Sequence, residues 1–130
     1  MNELVLKPIK GKKKFDEFFK TARKFYLTDA AVFVTYRQQN EKDKKTLEYA
    51  VIVRKKNARK AVVRNRIKRL LRECLRQLAK DDGMSEKLAQ FDKIMIVWAN
   101  APAHPMLIRL AQVCQTVRKL IDKASAGVNG

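Results

Sequence analysis

Residues 54–72 read RKKNARKAVVRNRIKRLLR, and the rest of the chain is interpreted outward from this stretch. Ten of its nineteen residues are Lys or Arg and none is acidic. A like-charge block this dense ordinarily repels itself into disorder. Here Val62, Val63, Ile67, Leu70 and Leu71 interrupt it at helical spacing. Wound at about 3.6 residues per turn, the segment gathers Val63, Ile67, Leu70, Leu71, Cys74 and Leu78 on one side. Asn65, Arg69, Arg72 and Arg76 fall on the other, flanked by Arg66 and Lys68, while Arg64 sits near the apolar edge. The helix therefore has a dry face for a core and a guanidinium-rich face for a partner. Arginine grips phosphate with a planar pair of donors, which a lysine point charge cannot do. Asn65 both donates and accepts, as a base edge or a 2′-hydroxyl requires. A merely solvated face would need acids at i±4 to lace it with ion pairs. Only Glu73 is available before the turn, so the face is assigned to a polyanion, RNA or DNA.

The whole-chain balance agrees. The 130 residues carry 30 Lys+Arg against 13 Asp+Glu, a formal net charge of +17. Such a field attracts polyanions at long range and weakens the compact state by self-repulsion. Yet 46% of the residues are hydrophobic, enough for one packed core. One domain is expected over residues 1–122, with a basic N-terminal arm (1–12) and a flexible tail (123–130). No apolar run approaches the roughly 20 residues that span a bilayer, and the N-terminal MNELVLKPIKGKKK lacks the apolar core of a signal peptide. Cys74 and Cys114 are too few and too far apart for a disulfide framework or zinc site, so a reduced, cytoplasmic, soluble protein is expected.

Upstream of the basic stretch, Phe15, Phe19, Ala22 and Tyr26 recur at helical spacing, with Phe18 and Phe25 beside them. Asp16 and Glu17 followed by Lys20, Arg23 and Lys24 give the charge order that a helix dipole favours. Two β-rich runs, Ala30–Tyr36 and Leu47–Val53, flank a polar stretch suited to a hairpin loop. Asp81-Asp82-Gly83 ends the basic helix as a turn. Lys93–Ala99 is a third strand, and Pro105 suits the first position of a last helix carrying Leu107, Leu110, Cys114, Val117 and Ile121. Helix–strand–strand–helix–strand–helix predicts a small α/β (α+β) two-layer sandwich, with helices packed on a short central sheet. The count falls one strand short if an element near Arg37–Glu48 is split.

The run Arg64-Asn65-Arg66-Ile67-Lys68-Arg69 resembles the RNR signature of the bacterial ribonuclease P protein family. The likeness continues upstream through Val53, Lys55, Lys56, Asn57 and Ala61, and downstream through Leu70, Leu71, Arg72 and Glu73. Phe15 and Phe19, Asp92 with the strand Ile94–Val97, and the leucine-spaced last helix fall in register, so it covers roughly residues 12 to 122. Three departures stand out: Ala50 where glycine is common, Arg54 where a small polar residue is usual, and Trp98-Ala99-Asn100 where a basic residue often occurs.

The resemblance implies the protein subunit of the ribozyme that removes the 5′ leader from precursor tRNA, with magnesium-dependent hydrolysis performed by the RNA subunit. Mg2+ would be held mainly by that RNA and the substrate, not by a protein site. It also implies a left-handed βαβ crossover, where the general rule is right-handed. Matched position by position, Lys55, Lys56, Arg64, Asn65, Arg66, Lys68 and Arg69 would bind the catalytic RNA, and Arg59, Lys60 and Arg72 extend the block. Phe15 and Phe19, with Phe33 as companion, would line the cleft for the precursor-tRNA leader. Aromatic faces beside cations hold a single strand without reading its sequence. At helical spacing, however, core is the commoner fate of aromatics, and Phe18 and Phe25 are assigned there.

The chain looks unequipped for chemistry of its own, and no catalytic residue and no obligate protein partner is expected. Its acids are scattered, with Glu41, Asp43, Asp81, Asp82 and Glu86 in polar connections. His104 stands alone between Pro102 and Pro105, Cys74 and Cys114 read as buried thiols, and no glycine-rich phosphate loop is present. A structural, ribosomal-type RNA-binding protein is the alternative. A DNA-binding regulator is a third reading, disfavoured because no helix–turn–helix partner precedes the basic helix.

Overall fold

From Ala61 onward the basic stretch lies in the longest described helix of the computed structural model, which describes residues 4–37, 46–54, 60–99 and 108–127. In chain order the elements are β1 (Val5–Pro8), α1 (Lys12–Thr21), β2 (Arg23–Tyr26), β3 (Ala30–Tyr36), β4 (Thr46–Val53), α2 (Ala61–Lys80), α3 (Asp82–Leu88), β5 (Phe91–Trp98) and α4 (Leu110–Ala126). The strands form one mixed sheet in the order β1-β4-β5-β3-β2. β1, β4 and β5 run parallel, and β3 is antiparallel to both β5 and β2.

β5 lies at the centre, which explains its unbroken apolar run from Ile94 to Trp98, buried on both faces. One face of the sheet carries α2, α3 and α4. Val32, Val34, Leu47, Ile94 and Ile96 pack there against Ile67, Leu71, Leu75, Val113, Val117 and Leu120, the main core. Each such side chain removed from water contributes about 1.5–3 kcal/mol. The other face holds a smaller cluster, where α1 lays Phe18 on Met95 and Val97. Phe18 is the one buried residue of α1.

Several expectations are corrected. The basic N-terminal arm contains β1, an edge strand too short to show a period, whose Pro8 is tolerated because an edge needs no second ladder. The first helix stops at Thr21, since Ala22 turns extended (φ −69°, ψ 139°), and Phe25 and Tyr26 belong to β2. β3 and β4 are not hairpin partners, because β5 is inserted between them. After Asp81 the chain makes a further helix, α3, rather than a plain turn, with the Asp81 carboxylate accepting from Met84 N–H as its N-cap.

The C-terminal segment expected to fray from Lys123 continues α4 through Ala126. It is held by Tyr36 Oη donating to Ala124 O (2.8 Å) and Arg23 Nη1 donating to Gly127 O (2.9 Å). Gly127 meets these aromatics closely: a Cβ there would lie 2.8 Å from Phe25 Cζ and 2.9 Å from Tyr36 Oη. The last helix begins at Leu110, and Pro105 lies outside the described residues.

Candidate nucleic-acid interface

α2 presents the face its sequence requires. Val63, Ile67, Leu71, Cys74, Leu75 and Leu78 are buried, while Asn65, Arg69 and Arg72 are exposed and make no hydrogen bond or ion pair with the described residues. Arg76, next along, shares its charge with Glu73 at 3.1 Å. Lys60 is the exposed N-cap, and no acid stands in the first turn to offset the positive end of the helix dipole. Lys68 and Arg64 are half-buried. Arg66 has turned away from the partner face, with Nε and Nη2 donating to Ile108 O at 3.3 and 3.1 Å. It ties α2 to the segment leading into α4. Lys55, Lys56 and Arg59 lie outside the described residues.

The second surface is on the opposite face of the sheet, beside α1. Phe19 is 50% exposed, and Phe15 and Phe33 are half-buried. Phe19 meets Phe33 edge-on at 5.7 Å and Phe18 at 5.6 Å. Of the helical aromatic stripe, then, Phe18 became core while Phe19 kept a free face. Phe25, assigned to the core, is half-buried against it on the α4 side. Lys24 on β2 holds its ammonium 5.6 Å from the Phe33 ring centroid. Lys14 pairs with Glu48 (3.0 Å), and Lys93 with Asp92 (3.0 Å) and Glu48 (3.8 Å). At the Thr35 end a groove of about 420 Å³ is lined by Glu17, Phe18, Thr21, Asp92 and Lys93.

Sequence reasoning missed this use of β2, because it placed Lys24 and Tyr26 on a helix. The signal present was the period-two order Arg23-Lys24-Phe25-Tyr26, which sends Lys24 and Tyr26 to one face and Arg23 and Phe25 to the other. On that other face Arg23 lies over the Phe25 and Tyr36 rings at 5.4 and 5.7 Å. Burial raises the Tyr36 hydroxyl above its ordinary pKa, with Arg23 opposing.

Cys74 is buried and Cys114 half-buried. Burial, and then a hydrogen bond with Cys114, pushes the Cys74 thiol well above its ordinary value, away from nucleophilic use. His104 lies outside the described residues. Among the described residues no group of three or more His, Cys, Asp or Glu could hold a metal ion. Nor is any described helix long and apolar enough to cross a membrane.

The α+β architecture thus carries an arginine-faced helix on one side of a mixed sheet and an aromatic strip edged by lysine on the other. The chain belongs to the ribonuclease P protein family, whose model, described as Ribonuclease P, matches residues 6–125. It is an RNA-binding protein of tRNA processing. Solved bacterial RNase P proteins share the fold, two of them as follows. The RNase P protein of Staphylococcus aureus aligns at TM-score 0.62 and 21% identity, over 90% of this chain and 94% of that one. The RNase P protein of Thermotoga maritima aligns at TM-score 0.64 and 16% identity, over 90% and 96%. No curated protein sequence matches the chain.

Proposed function

We propose that this chain is the protein subunit of a ribonuclease P ribonucleoprotein in the cytoplasm, binding both the catalytic RNA and precursor tRNA to promote 5′ maturation. The outer face of α2, through Asn65, Arg69 and Arg72, contacts the catalytic RNA, and the Phe15–Phe19–Phe33 strip receives the single-stranded leader. Phosphodiester hydrolysis falls to the RNA subunit, with Mg2+ held by that RNA and the substrate. The observation that carries this reading is the pairing of two surfaces on opposite faces of one sheet: the Arg69 and Arg72 guanidinium groups, exposed and without partners among the described residues, and Phe19 half-exposed against Phe33. The first suits closely spaced phosphates, the second unstacked bases.

A ribosomal-type binder would need only the first surface. Affinity measured on the complex reconstituted with a bacterial ribonuclease P RNA separates the two. Loss of one base-stacking face costs about 1–3 kcal/mol, roughly 5- to 150-fold. Phe19→Ala should therefore weaken precursor tRNA by that amount and leave mature tRNA unchanged. Equal loss for both, or none for either, would overturn the assignment of the strip to the leader.

A further inference from the structure

We propose that the leader site continues past the phenylalanines onto the β2 edge, where Tyr26 offers another stacking face and Lys24 a phosphate contact. The proposal rests on the leader-binding reading and names residues that reading does not include. Tyr26 is the most exposed large aromatic among the described residues, at 68%. It shares a sheet face with the strip. The register crosses the sheet in two adjacent rows, Lys24–Phe33–Met95–Ala50 and Tyr26–Ala31–Val97–Ile52. Rows two residues apart along a strand are separated by about 6.5–7 Å, so Tyr26 stands one row beyond Phe33 on the same floor. Between them the Lys24 ammonium lies 5.6 Å from the Phe33 centroid and 5.7 Å from that of Tyr26. A cation between two aromatic faces alternates the contacts that bases and phosphates alternate along a single strand.

Charge distinguishes the two ends of the strip. Beyond Phe33 in the other direction, the Thr35 row opens on the groove that carries Glu17, Asp92 and Lys93, and there the Lys93 ammonium is shared between Asp92 (3.0 Å) and Glu48 (3.8 Å), so acids outnumber the cation that a phosphate backbone would need. The β2 end carries Lys24 instead. Its backbone is also fixed: Lys123 Nζ donates to Tyr26 O at 3.2 Å, and Leu27 N–H donates to Ala30 O at 2.9 Å. The exposed ring thus stands on an anchored strand end, so little ordering remains to be done on binding.

The test uses the reconstituted complex with precursor tRNAs carrying 2-aminopurine at each leader position in turn. Stacking quenches the probe, so each variant reports which position its side chain covers. Phe19→Ala should restore fluorescence at one position or group of positions. Tyr26→Ala should restore it at an adjacent, different position and weaken leader-bearing precursor by roughly fivefold or more, whereas Tyr26→Phe should behave as wild type. A Tyr26→Ala profile identical to wild type, or one changed only where Phe19→Ala acts, would overturn the β2 extension while leaving the cleft intact. If Phe19→Ala also changed nothing at any position, the leader-binding reading itself would fail.

Discussion

Removing Arg69 and Arg72 together should change how strongly salt controls RNA binding, by an amount the structure sets. Both are exposed on α2, lie three residues apart on one face, and have no ion-pair or hydrogen-bond partner among the described residues. Each phosphate contact contributes about 0.7–0.9 to the slope of log affinity against log salt, so the Arg69→Ala/Arg72→Ala protein should lose about 1.4–1.8. Over the fourfold range from about 50 to about 200 mM, the salt-induced drop should shrink by roughly 7- to 12-fold. Arg76 provides the internal control. It already shares its charge with Glu73 at 3.1 Å, so Arg76→Ala should flatten the slope by less than one full contact. The measurement is fluorescence anisotropy of labelled ribonuclease P RNA titrated with each protein across a salt series. A double variant whose line runs parallel to wild type would mean that this face is only solvated, and the assignment of α2 to RNA would fall.

Arg66 should behave differently from its neighbours. Its guanidinium donates twice to Ile108 O, and hydrogen bonds from charged groups contribute about 1.5–3 kcal/mol. Arg66→Ala should therefore lower the unfolding free energy of the free protein by about that amount in urea titration, whereas Arg69→Ala should leave it unchanged; equal stability of the two variants would contradict the tie. Phe18→Ala removes the one buried residue of α1 and should cost about 3–5 kcal/mol, with the amides of α1 exchanging fastest. An unchanged midpoint would show that α1 is held by something else. The Met84 N–H, and then Arg118, hold the Asp81 carboxyl below its ordinary value. Its charged form therefore supports α3 at neutral pH, and that support should fade as pH falls through the lowered folded-state value. A carbon-detected titration placing Asp81 at or above the ordinary aspartate range would refute the cap.

The parts of the fold legible in the sequence were those with a long period or a long apolar run. Val63 to Leu78 repeat over enough turns to fix both the existence of α2 and its buried face, and Ile94–Trp98 is too continuous for anything but a central strand. Short edge strands were illegible for the same physical reason in reverse. β1 and β2 have four residues each, paired on one side only, and their order comes from contacts distant in sequence. Phe25 and Tyr26 continue the helical spacing of Phe15 and Phe19 by coincidence, so periodicity alone could not stop α1 at Thr21. The same limit applied to the interface. Asn65, Arg69 and Arg72 were readable as exposed from the helical wheel, but the capture of Arg66 by Ile108 depends on where α4 begins. Lys24 and Tyr26 could join the strip only once their strand was placed beside β3.

The central claim is that this chain serves a catalytic RNA, and reconstitution tests it most directly. The protein is mixed with a bacterial ribonuclease P RNA at a magnesium concentration too low for the RNA to work alone, and 5′ cleavage of precursor tRNA is scored. Gain of correctly placed cleavage over RNA alone, diminished by Arg69→Ala/Arg72→Ala and by Phe19→Ala, is the predicted result. No gain over the RNA alone, with the protein folded and bound, would contradict it.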